Sequence, residues 1–244
     1  MKIHVHFSPL PLEELFFTGK TTVVIDVLRA TSTILTALDN GAKEIIPVNS
    51  VEFAMKVSVN SFGGHTLIAG ERNTRKIEGF QLGNSPLEYT KEAVSGKSII
   101  LFTTNGSKAV VRAKFSETML ICSFLNIASV AGYICSLNKD VEILCSGRTG
   151  NFCIEDTICA GMLIDEIIKN NGENVELMND SSNASLLLSR NYSNDISGTL
   201  RNSEHGKLLV DNGFEEDIDY CARLNELDIL TVFNNGTIKI LKFQ

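Results

Sequence analysis

Thr22-Val23-Val24-Ile25-Asp26-Val27-Leu28-Arg29-Ala30-Thr31-Ser32-Thr33 is the stretch of this chain that decides the fold. The apolar residues 22–25 predict a buried strand, and the apolar spacing that follows Thr31 predicts a helix. A buried parallel strand has no favourable place for a charge, so we expect Asp26 at the carboxyl end of the strand, facing a crevice. The next helix begins there, and its N-terminus favours anions. The stretch therefore predicts one unit of an α/β sheet with an anion site, and with a metal ligand or nucleophile beside it.

The same alternation of strand and helix continues to Gly172. Strands are predicted at 22–27, 44–48, 66–69, 98–102, 118–122 and 141–145. Helices are predicted at 31–39, 51–59, 86–94, 106–115, 126–138 and 154–169. This order predicts a three-layer α/β/α fold, in which helices cover both faces of a largely parallel or mixed sheet.

Composition changes after Gly172, where Asn and Ser become frequent. Helices are predicted at 182–189 and 201–212, and the segments 228–233 and 237–243 flank Asn234-Asn235-Gly236, which favours a hairpin turn. We expect a single α/β domain over residues 1–244. Its main sheet would occupy about 1–172, and a small helical and hairpin C-terminal cap would occupy about 173–244.

Bulk composition narrows the classes of partner. The net charge of −7 provides no overall basic field, so we expect neither nucleic acid nor an anionic membrane as a partner. No apolar run approaches the roughly 20 residues of a transmembrane helix. Residues 1–7 alternate like an edge strand and do not resemble a signal peptide. We predict a cytoplasmic protein whose six cysteines are mostly buried, reduced thiols. A homodimer is possible on this sequence.

Polar residues follow four of the predicted strands. The four segments are 26–29, 70–73, 103–107 and 146–151, and the last leads to Glu155 and Asp156. The carboxyl ends of neighbouring parallel strands share one edge of a sheet, so we expect the four segments to line one pocket. The turn 84–86 precedes a predicted helix and would add hydrogen-bond donors to that pocket.

Each segment also has a purely structural explanation. Asp26 would serve as a helix N-cap, which is worth about 0.5–2 kcal/mol. Residues 103–107 would form another capping turn. Glu155 and Asp156 suit a helix N-terminus, at about 0.3–1 kcal/mol each. Repetition at four strand ends favours a shared site over four unrelated caps.

Several familiar catalytic motifs are absent from the sequence. Leu28 occupies the second acidic position of the DxD motif of aspartyl-nucleophile phosphatases. The chain has no GxxxxGK[ST] loop, no GxSxG elbow and no HExxH helix. The anion site must therefore be assembled from several segments.

An ordered set of short motifs runs from about Val23 to Cys221. The matching pieces are 26–31, 70–72, 77–80, 83–86, 103–106, 147–152, Glu155-Asp156, Cys159-Ala160-Gly161, His205, Gly213, Asp217 and Cys221. In this order and spacing the chain resembles the 2-phosphosulfolactate phosphatase family. It departs from the family pattern at Thr74, often glycine, at Gln81, commonly aspartate, and at Ser107, commonly threonine.

The resemblance implies Mg²⁺-dependent hydrolysis of 2-phospho-3-sulfolactate to 3-sulfolactate and phosphate, a step of the coenzyme M biosynthesis type. Such a substrate is a small anionic phospho-acid with phosphate, sulfonate and carboxylate on three carbons. Two alternatives remain open: a phosphatase for another small 2-phosphorylated acid, and a non-catalytic protein that binds an anionic metabolite.

The residue inventory fits this reaction. Phosphate monoester hydrolysis needs acceleration by up to about 10²¹, which requires a metal ion, guanidinium groups and an oriented nucleophile together. We predict Asp26, Arg29 and Asp156 as catalytic residues, with Asp26 either attacking phosphorus or holding the metal. The predicted Mg²⁺ ligands are Asp26, Glu71 and Asp156. The predicted substrate-binding residues are Arg72, Asn84, Ser85, Thr103, Thr104, Asn105, Gly106, Ser107, Arg148 and His205.

Overall fold

The computed structural model of the protein describes residues 1–59 and 65–242. The strands are β1 (Lys2–His6), β2 (Thr21–Ile25), β3 (Glu44–Val48), β4 (Thr66–Arg72), β5 (Arg75–Lys76), β6 (Ser98–Phe102), β7 (Thr118–Cys122), β8 (Val141–Cys145), β9 (Glu176–Leu177), β10 (Thr231–Asn234) and β11 (Thr237–Ile240). The helices are α1 (Ala30–Asp39), α2 (Val51–Val59), α3 (Lys91–Val94), α4 (Gly106–Arg112), α5 (Ile127–Leu137), α6 (Ile154–Asn171), α7 (Asp180–Tyr192), α8 (Ile196–Asn202), α9 (Glu204–Asp211) and α10 (Glu215–Cys221).

One mixed sheet contains these strands in the order β5-β4-β6-β3-β11-β10-β7-β2-β8-β1-β9. Strands β4, β6 and β3 form one parallel block, and β7, β2, β8, β1 and β9 form a second. The antiparallel hairpin β10–β11 joins the two blocks. The hydrophobic pattern of the strands therefore yields the mixed sheet that the sequence predicts.

Helices cover both faces of the sheet. In β2, Val23 and Ile25 belong to the core that includes residues of α5 and α6. Val24 points to the opposite face and belongs to the core that includes residues of α1 and α4. All five residues of β2 are buried, as expected of a strand covered on both sides. The α/β fold with its three layers is confirmed.

Two predicted helices are interrupted. The segment 86–94 forms a 3₁₀ turn (Pro86–Glu88) followed by the single turn of α3. The second helix begins separately because the Thr90 hydroxyl accepts a hydrogen bond from the Ala93 amide and caps α3. The segment 201–212 is divided between α8 and α9, because the Ser203 hydroxyl accepts a hydrogen bond from the Gly206 amide and starts a new helix. Ser and Thr compete with helix continuation in this way.

The C-terminal region contributes to the main sheet. The predicted hairpin forms, but it lies in the interior of the sheet instead of on its outside. Strand β1 lies between β8 and β9 and is therefore not the edge strand that its alternation predicts. The predicted second hairpin strand ran to Phe243, which lies outside the described residues. The division into a main sheet and a cap at about residue 172 stays a prediction.

The six cysteines are free thiols, and all but Cys135 are buried. Burial raises the pKa of the thiols of Cys145, Cys153 and Cys159, which makes them poor nucleophiles. Within the described residues, no helix combines the length and apolarity needed to cross a membrane.

Candidate active site

A cavity of about 570 Å³ opens where β2, β4 and β6 end. Ten of the predicted site residues line it: Asp26, Arg29, Glu71, Arg72, Asn84, Thr103, Thr104, Asn105, Arg148 and His205. Four others do not line it: Ser85, Gly106, Ser107 and Asp156. The lining carries four guanidinium groups and two carboxylates, so the cavity is suited to an anion.

Three further lining residues, Leu28, Asn73 and Thr149, belong to the segments expected to line the pocket. Sequence reasoning missed four others: Thr74, Arg75, Leu208 and Asn212. Thr74 and Arg75 directly follow the predicted segment 70–73 and complete the hairpin turn after β4. Leu208 and Asn212 follow His205 at spacings that place them near it on or just beyond α9. The helical spacing around His205 is the signal that could have found them.

Asp26 belongs both to the cavity wall and to the start of α1. Its Oδ1 accepts a hydrogen bond from the Ala30 amide at 3.0 Å. A Cβ atom at Gly106 would lie 2.5 Å from Oδ2, so only glycine allows α4 to approach this closely. Burial raises the pKa of Asp26, and the nearby charge of Glu71 adds to the rise. The N-cap position of α1 is Arg29, so the interpretation of Asp26 as the N-cap is wrong. Asp26 lies three residues earlier, where it accepts the hydrogen bond of a first-turn amide and also lines the cavity.

Asp156 lies behind the cavity and joins two of its loops. Its Oδ1 accepts a hydrogen bond from the Val27 amide at 2.9 Å. Its Oδ2 accepts from the Ser146 hydroxyl at 3.0 Å and from the Gly147 amide at 3.2 Å. Burial, followed by the negative charge of Asp26, raises the pKa of Asp156 well above its ordinary value. Two buried carboxylates thus repel each other beside the cavity.

Glu71 fastens two loops of the other parallel block. Its Oε2 accepts a hydrogen bond from the Thr74 amide at 2.8 Å, and its Oε1 accepts from the Thr104 amide at 2.7 Å. The strands approach closely here, because a Cβ atom at Gly70 would lie 1.9 Å from the carbonyl oxygen of Phe102. Glu71 therefore holds the Arg72 hairpin against the turn that starts α4.

Thr103 and Ser107 bond to each other. The Ser107 amide donates to the Thr103 hydroxyl at 2.8 Å, and the Thr103 amide donates to the Ser107 hydroxyl at 2.9 Å. Both hydroxyls are thereby committed to the turn that leads into α4. Asn105 bridges to the neighbouring loop, since its Oδ1 accepts a hydrogen bond from the Thr149 amide at 3.1 Å.

Arg29 is buried, and hydrogen bonds to other parts of the chain fix its guanidinium group. Its Nη1 donates to Oδ2 of Asp217 at 2.6 Å, and its Nη2 donates to the Thr74 carbonyl at 2.7 Å. The guanidinium carbon lies 4.2 Å from the centre of the Phe214 ring. Asp217 accepts a second hydrogen bond on Oδ1, from the Ser85 hydroxyl at 2.6 Å. Ser85 therefore supports Arg29 through Asp217 instead of lining the cavity.

Charged residues from α9 close the remaining side. Arg148 forms an ion pair with Glu204. His205 places its Nδ1 3.3 Å from Oε1 of the buried Glu155. Burial alone would raise the pKa of Glu155, but the hydrogen bond and charge of His205 outweigh it and hold the pKa below its ordinary value. Glu155, which the sequence predicts in the first turn of a helix, is therefore paired with an imidazole.

Three cavity residues carry buried polar atoms that have no hydrogen-bond partner among the described residues. They are Oγ1 of Thr74, Oδ1 of Asn84 and Oγ1 of Thr104. Leaving such an atom unpaired costs about 1–3 kcal/mol. A polar ligand in the cavity would supply the missing partners, so the lining is arranged for a bound molecule.

Thr74 adopts a backbone conformation that is unfavourable for a β-branched residue. Its φ is +70°, in the left-handed region, at the position where the resembling family often has glycine. We expect Thr74→Gly to raise the free energy of unfolding by about 1 kcal/mol, because relief of the backbone strain and loss of the unpaired hydroxyl exceed the entropy cost of glycine. Urea denaturation measures this. The stability of Thr74→Ala, which keeps a Cβ atom, should lie between that of the unaltered protein and that of Thr74→Gly. A glycine variant less stable than the unaltered protein would contradict the prediction.

The described part of the chain contains no group of three or more His, Cys, Asp or Glu side chains arranged to hold a metal ion. Asp26 lines the cavity, and Asp156 lies behind it, near enough for the charge of Asp26 to raise the pKa of Asp156. Mg²⁺ is commonly held by one or two carboxylates, with substrate oxygens and water as its other ligands. The oxygen-only donor set and the mutual repulsion of these two side chains fit such an ion.

The fold and the cavity define a class: an α/β protein whose cavity, at the carboxyl ends of its strands, is suited to a small anion. The comparisons with known proteins give the particular family. Residues 9–236 match the family model described as 2-phosphosulpholactate phosphatase, and the chain belongs to this family. The family is one of phosphoric monoester hydrolases, so the chain belongs to that class of enzyme.

Curated relatives match over nearly the full length. A protein of Caldanaerobacter subterraneus named "probable 2-phosphosulfolactate phosphatase" is 42% identical over 220 residues, covering 90% of each chain. A protein of the same name from Clostridium novyi is 41% identical and covers 96% of this chain and 97% of its own. One from Clostridium perfringens is 40% identical and covers 99% and 97%.

Proposed function

We propose that this protein hydrolyses the phosphate ester of 2-phospho-3-sulfolactate to 3-sulfolactate and phosphate. The observation that carries the proposal is the cavity, which is lined by buried Arg29, three further arginines and the carboxylate of Asp26. The names of the family and of its relatives support the same substrate.

The cavity lining has four arginines for the three anionic groups of such a substrate. Arg29 uses one donor of Nη1 and one of Nη2 for the protein, which leaves its remaining donors for a ligand. A rigid guanidinium suits bidentate contact with phosphate or sulfonate oxygens. We propose that Arg29 and Arg72, with the turn at Thr104, bind the phosphate, and that Arg148 meets the sulfonate or carboxylate. Arg75, in the hairpin formed by β4 and β5, and Asn84 would contact the same substrate.

We propose that the enzyme uses Mg²⁺ held by Asp26 and Asp156, with Glu71 at the edge of the site. When bound, such an ion neutralises charge on the transferring phosphoryl group. The chain's own residues orient the ester, because Arg29 is fixed by Asp217 and the Arg72 hairpin is fixed by Glu71. Asp26 either attacks phosphorus or orients the attacking water. The configuration at phosphorus of a chirally labelled ester separates these routes, since a covalent aspartyl route makes two displacements and retains the configuration, whereas direct attack by water inverts it.

The proposed activity predicts phosphate release from a panel of small phospho-acids. We expect 2-phospho-3-sulfolactate to give the highest kcat/KM, because an ester without the sulfonate leaves at least one arginine unpaired. We expect EDTA to abolish turnover and Mg²⁺ to restore it. Phosphate release measured for 2-phospho-3-sulfolactate, 2-phospholactate and 2-phosphoglycolate tests this directly.

The outcomes of the panel distinguish the alternatives. Equal or better turnover of the esters without sulfonate would identify a phosphatase for another 2-phosphorylated acid. Binding of the panel without phosphate release at any Mg²⁺ concentration would identify an anion-binding protein and contradict the enzymatic proposal. We also propose that this reaction is a step of the coenzyme M biosynthesis type and that the protein is cytoplasmic.

A further inference from the structure

His205 lies between the active-site cavity and a smaller cavity beside it. It lines both the cavity of about 570 Å³ and a neighbouring one of about 260 Å³. Its Nδ1 lies 3.3 Å from Oε1 of Glu155, whose side chain is only 3% exposed. Apart from this contact, that buried oxygen has no hydrogen-bond partner within the described residues. The Nδ1 edge of the imidazole is therefore fixed by a buried carboxylate.

This arrangement orients the ring. A carboxylate on one ring nitrogen fixes the tautomer and the direction of the other nitrogen. Nδ1 faces Glu155, and Nε2 makes no hydrogen bond with any described residue. His205 thus brings an imidazole whose Nδ1 is engaged by Glu155 to the wall of the active-site cavity.

The ester that we propose as substrate has a demanding leaving group. Breaking its P–O bond leaves an alkoxide on C2, which is a strong base and a poor leaving group unless it is protonated as it departs. Positioned general acids contribute about 10²- to 10⁴-fold to such reactions. The arginines of the cavity keep their protons at all ordinary pH values. Among the described lining residues, His205 is the one imidazole.

We propose that His205 is the general acid that protonates the leaving oxygen, and that Glu155 is the positioning residue that orients it. The nucleophilic oxygen forms its bond to phosphorus while the bond from phosphorus to the C2 oxygen breaks. The electron pair of that bond stays on the C2 oxygen, which takes the proton from Nε2. The proton that water gives up in hydrolysis restores the imidazolium through the solvent. This inference rests on the proposed phosphatase function.

Two esters of similar shape test the proton transfer. Phosphoenolpyruvate has the carbon skeleton of 2-phospholactate, but its enolate leaves without needing a proton to the same degree. We expect His205→Gln to lower kcat/KM for 2-phospholactate by about 10²-fold or more. The loss for phosphoenolpyruvate should be less than about 10-fold. A residue that only binds substrate or supports α9 would affect both esters alike.

Chemical rescue provides a second readout. We expect imidazole in the buffer to restore part of the activity of His205→Ala on 2-phospholactate, because the deleted ring leaves space beside Glu155 that an imidazolium can occupy. His65→Ala is the matched control: His65 is exposed, and its variant should keep full activity and show no response to imidazole. Glu155→Gln keeps an acceptor but loses the charge, and it should also affect 2-phospholactate more than phosphoenolpyruvate.

The outcomes separate this inference from the function on which it rests. If the unaltered enzyme releases no phosphate from any phospho-acid, the proposed function fails. If the unaltered enzyme is active, equal losses for the two esters or the absence of imidazole rescue overturns the role of His205. Should phosphoenolpyruvate be no substrate, the rescue alone decides. Circular dichroism and thermal melting of each variant confirm that it folds.

Discussion

Asp26→Asn is expected to reduce turnover by about 10³-fold or more while leaving the protein folded and at least as stable as before. The asparagine oxygen can still accept the hydrogen bond from the Ala30 amide, so the start of α1 is kept. The substitution removes the charge that would attack phosphorus or bind the metal. It also removes the negative charge that acts on Asp156. Steady-state kinetics and urea denaturation measure the two effects.

The stability effect of Asp26→Asn should depend on pH. The pKa values of Asp26 and Asp156 are raised in the folded protein, mainly by burial. In the unfolded chain these groups ionise near pH 3.9. Between that pH and their raised pKa values in the folded protein, the unfolded state loses protons more readily than the folded state. The free energy of unfolding therefore falls as the pH rises through this range. We therefore expect the variant to be more stable than the unaltered protein by on the order of 1 kcal/mol at pH 8, and equally stable near pH 4.

Mg²⁺ provides an independent readout. An ion that binds only the folded state raises the melting temperature, so Mg²⁺ should stabilise the unaltered protein and have little effect on the variant. Asp39→Asn is the control, because Asp39 is exposed at the opposite end of α1 and should change neither turnover nor the response to Mg²⁺. A variant at position 26 that loses stability at every pH, and loses activity only in proportion, would show that Asp26 only supports the start of α1.

Four strands of the parallel blocks could be predicted closely from the sequence, whereas the two-residue strand β9 was not predicted. The predicted bounds of β3, β6, β7 and β8 coincide with those observed. These strands are buried on both faces, so their apolar runs begin and end where the strands do. The order of the strands could not be predicted. Asn234-Asn235-Gly236 specifies a hairpin turn but carries no information on which strands the hairpin pairs with.

The candidate site was predictable at the level of loops but not of side-chain orientation. Polar residues at strand ends do meet in one cavity, as the edge of a parallel sheet requires. Residue type could not show that Thr103 bonds to Ser107. Nor could it show that Asp217 pairs with Arg29, because these residues are 188 positions apart and meet only when α10 packs on the loop after β2. Long-range pairs of this kind leave no periodicity in the sequence.

Asp217→Asn is expected to lower the free energy of unfolding by about 3 kcal/mol, because it leaves the Arg29 guanidinium buried without a counter-charge. We also expect kcat/KM to fall by about 10²-fold, since the guanidinium loses the contact that fixes its direction. Asp219→Asn is the matched control on the same helix. Asp219 pairs with Arg201 at the surface, with 52% of its side chain exposed, so its loss should cost about 0–1 kcal/mol and leave kinetics unchanged.

A double variant separates the structural role of this pair from its role in binding. Arg29→Met combined with Asp217→Asn removes both charges, so it should be more stable than either single variant, because no buried charge is left unpaired. It should nevertheless remain inactive, since the buried guanidinium that faces the cavity is gone. Denaturant midpoints and kcat/KM for the four proteins complete the cycle. If Asp217→Asn lost stability but kept kcat/KM within about threefold, a difference of less than 1 kcal/mol, Arg29 would be a structural residue and another arginine would bind the phosphate.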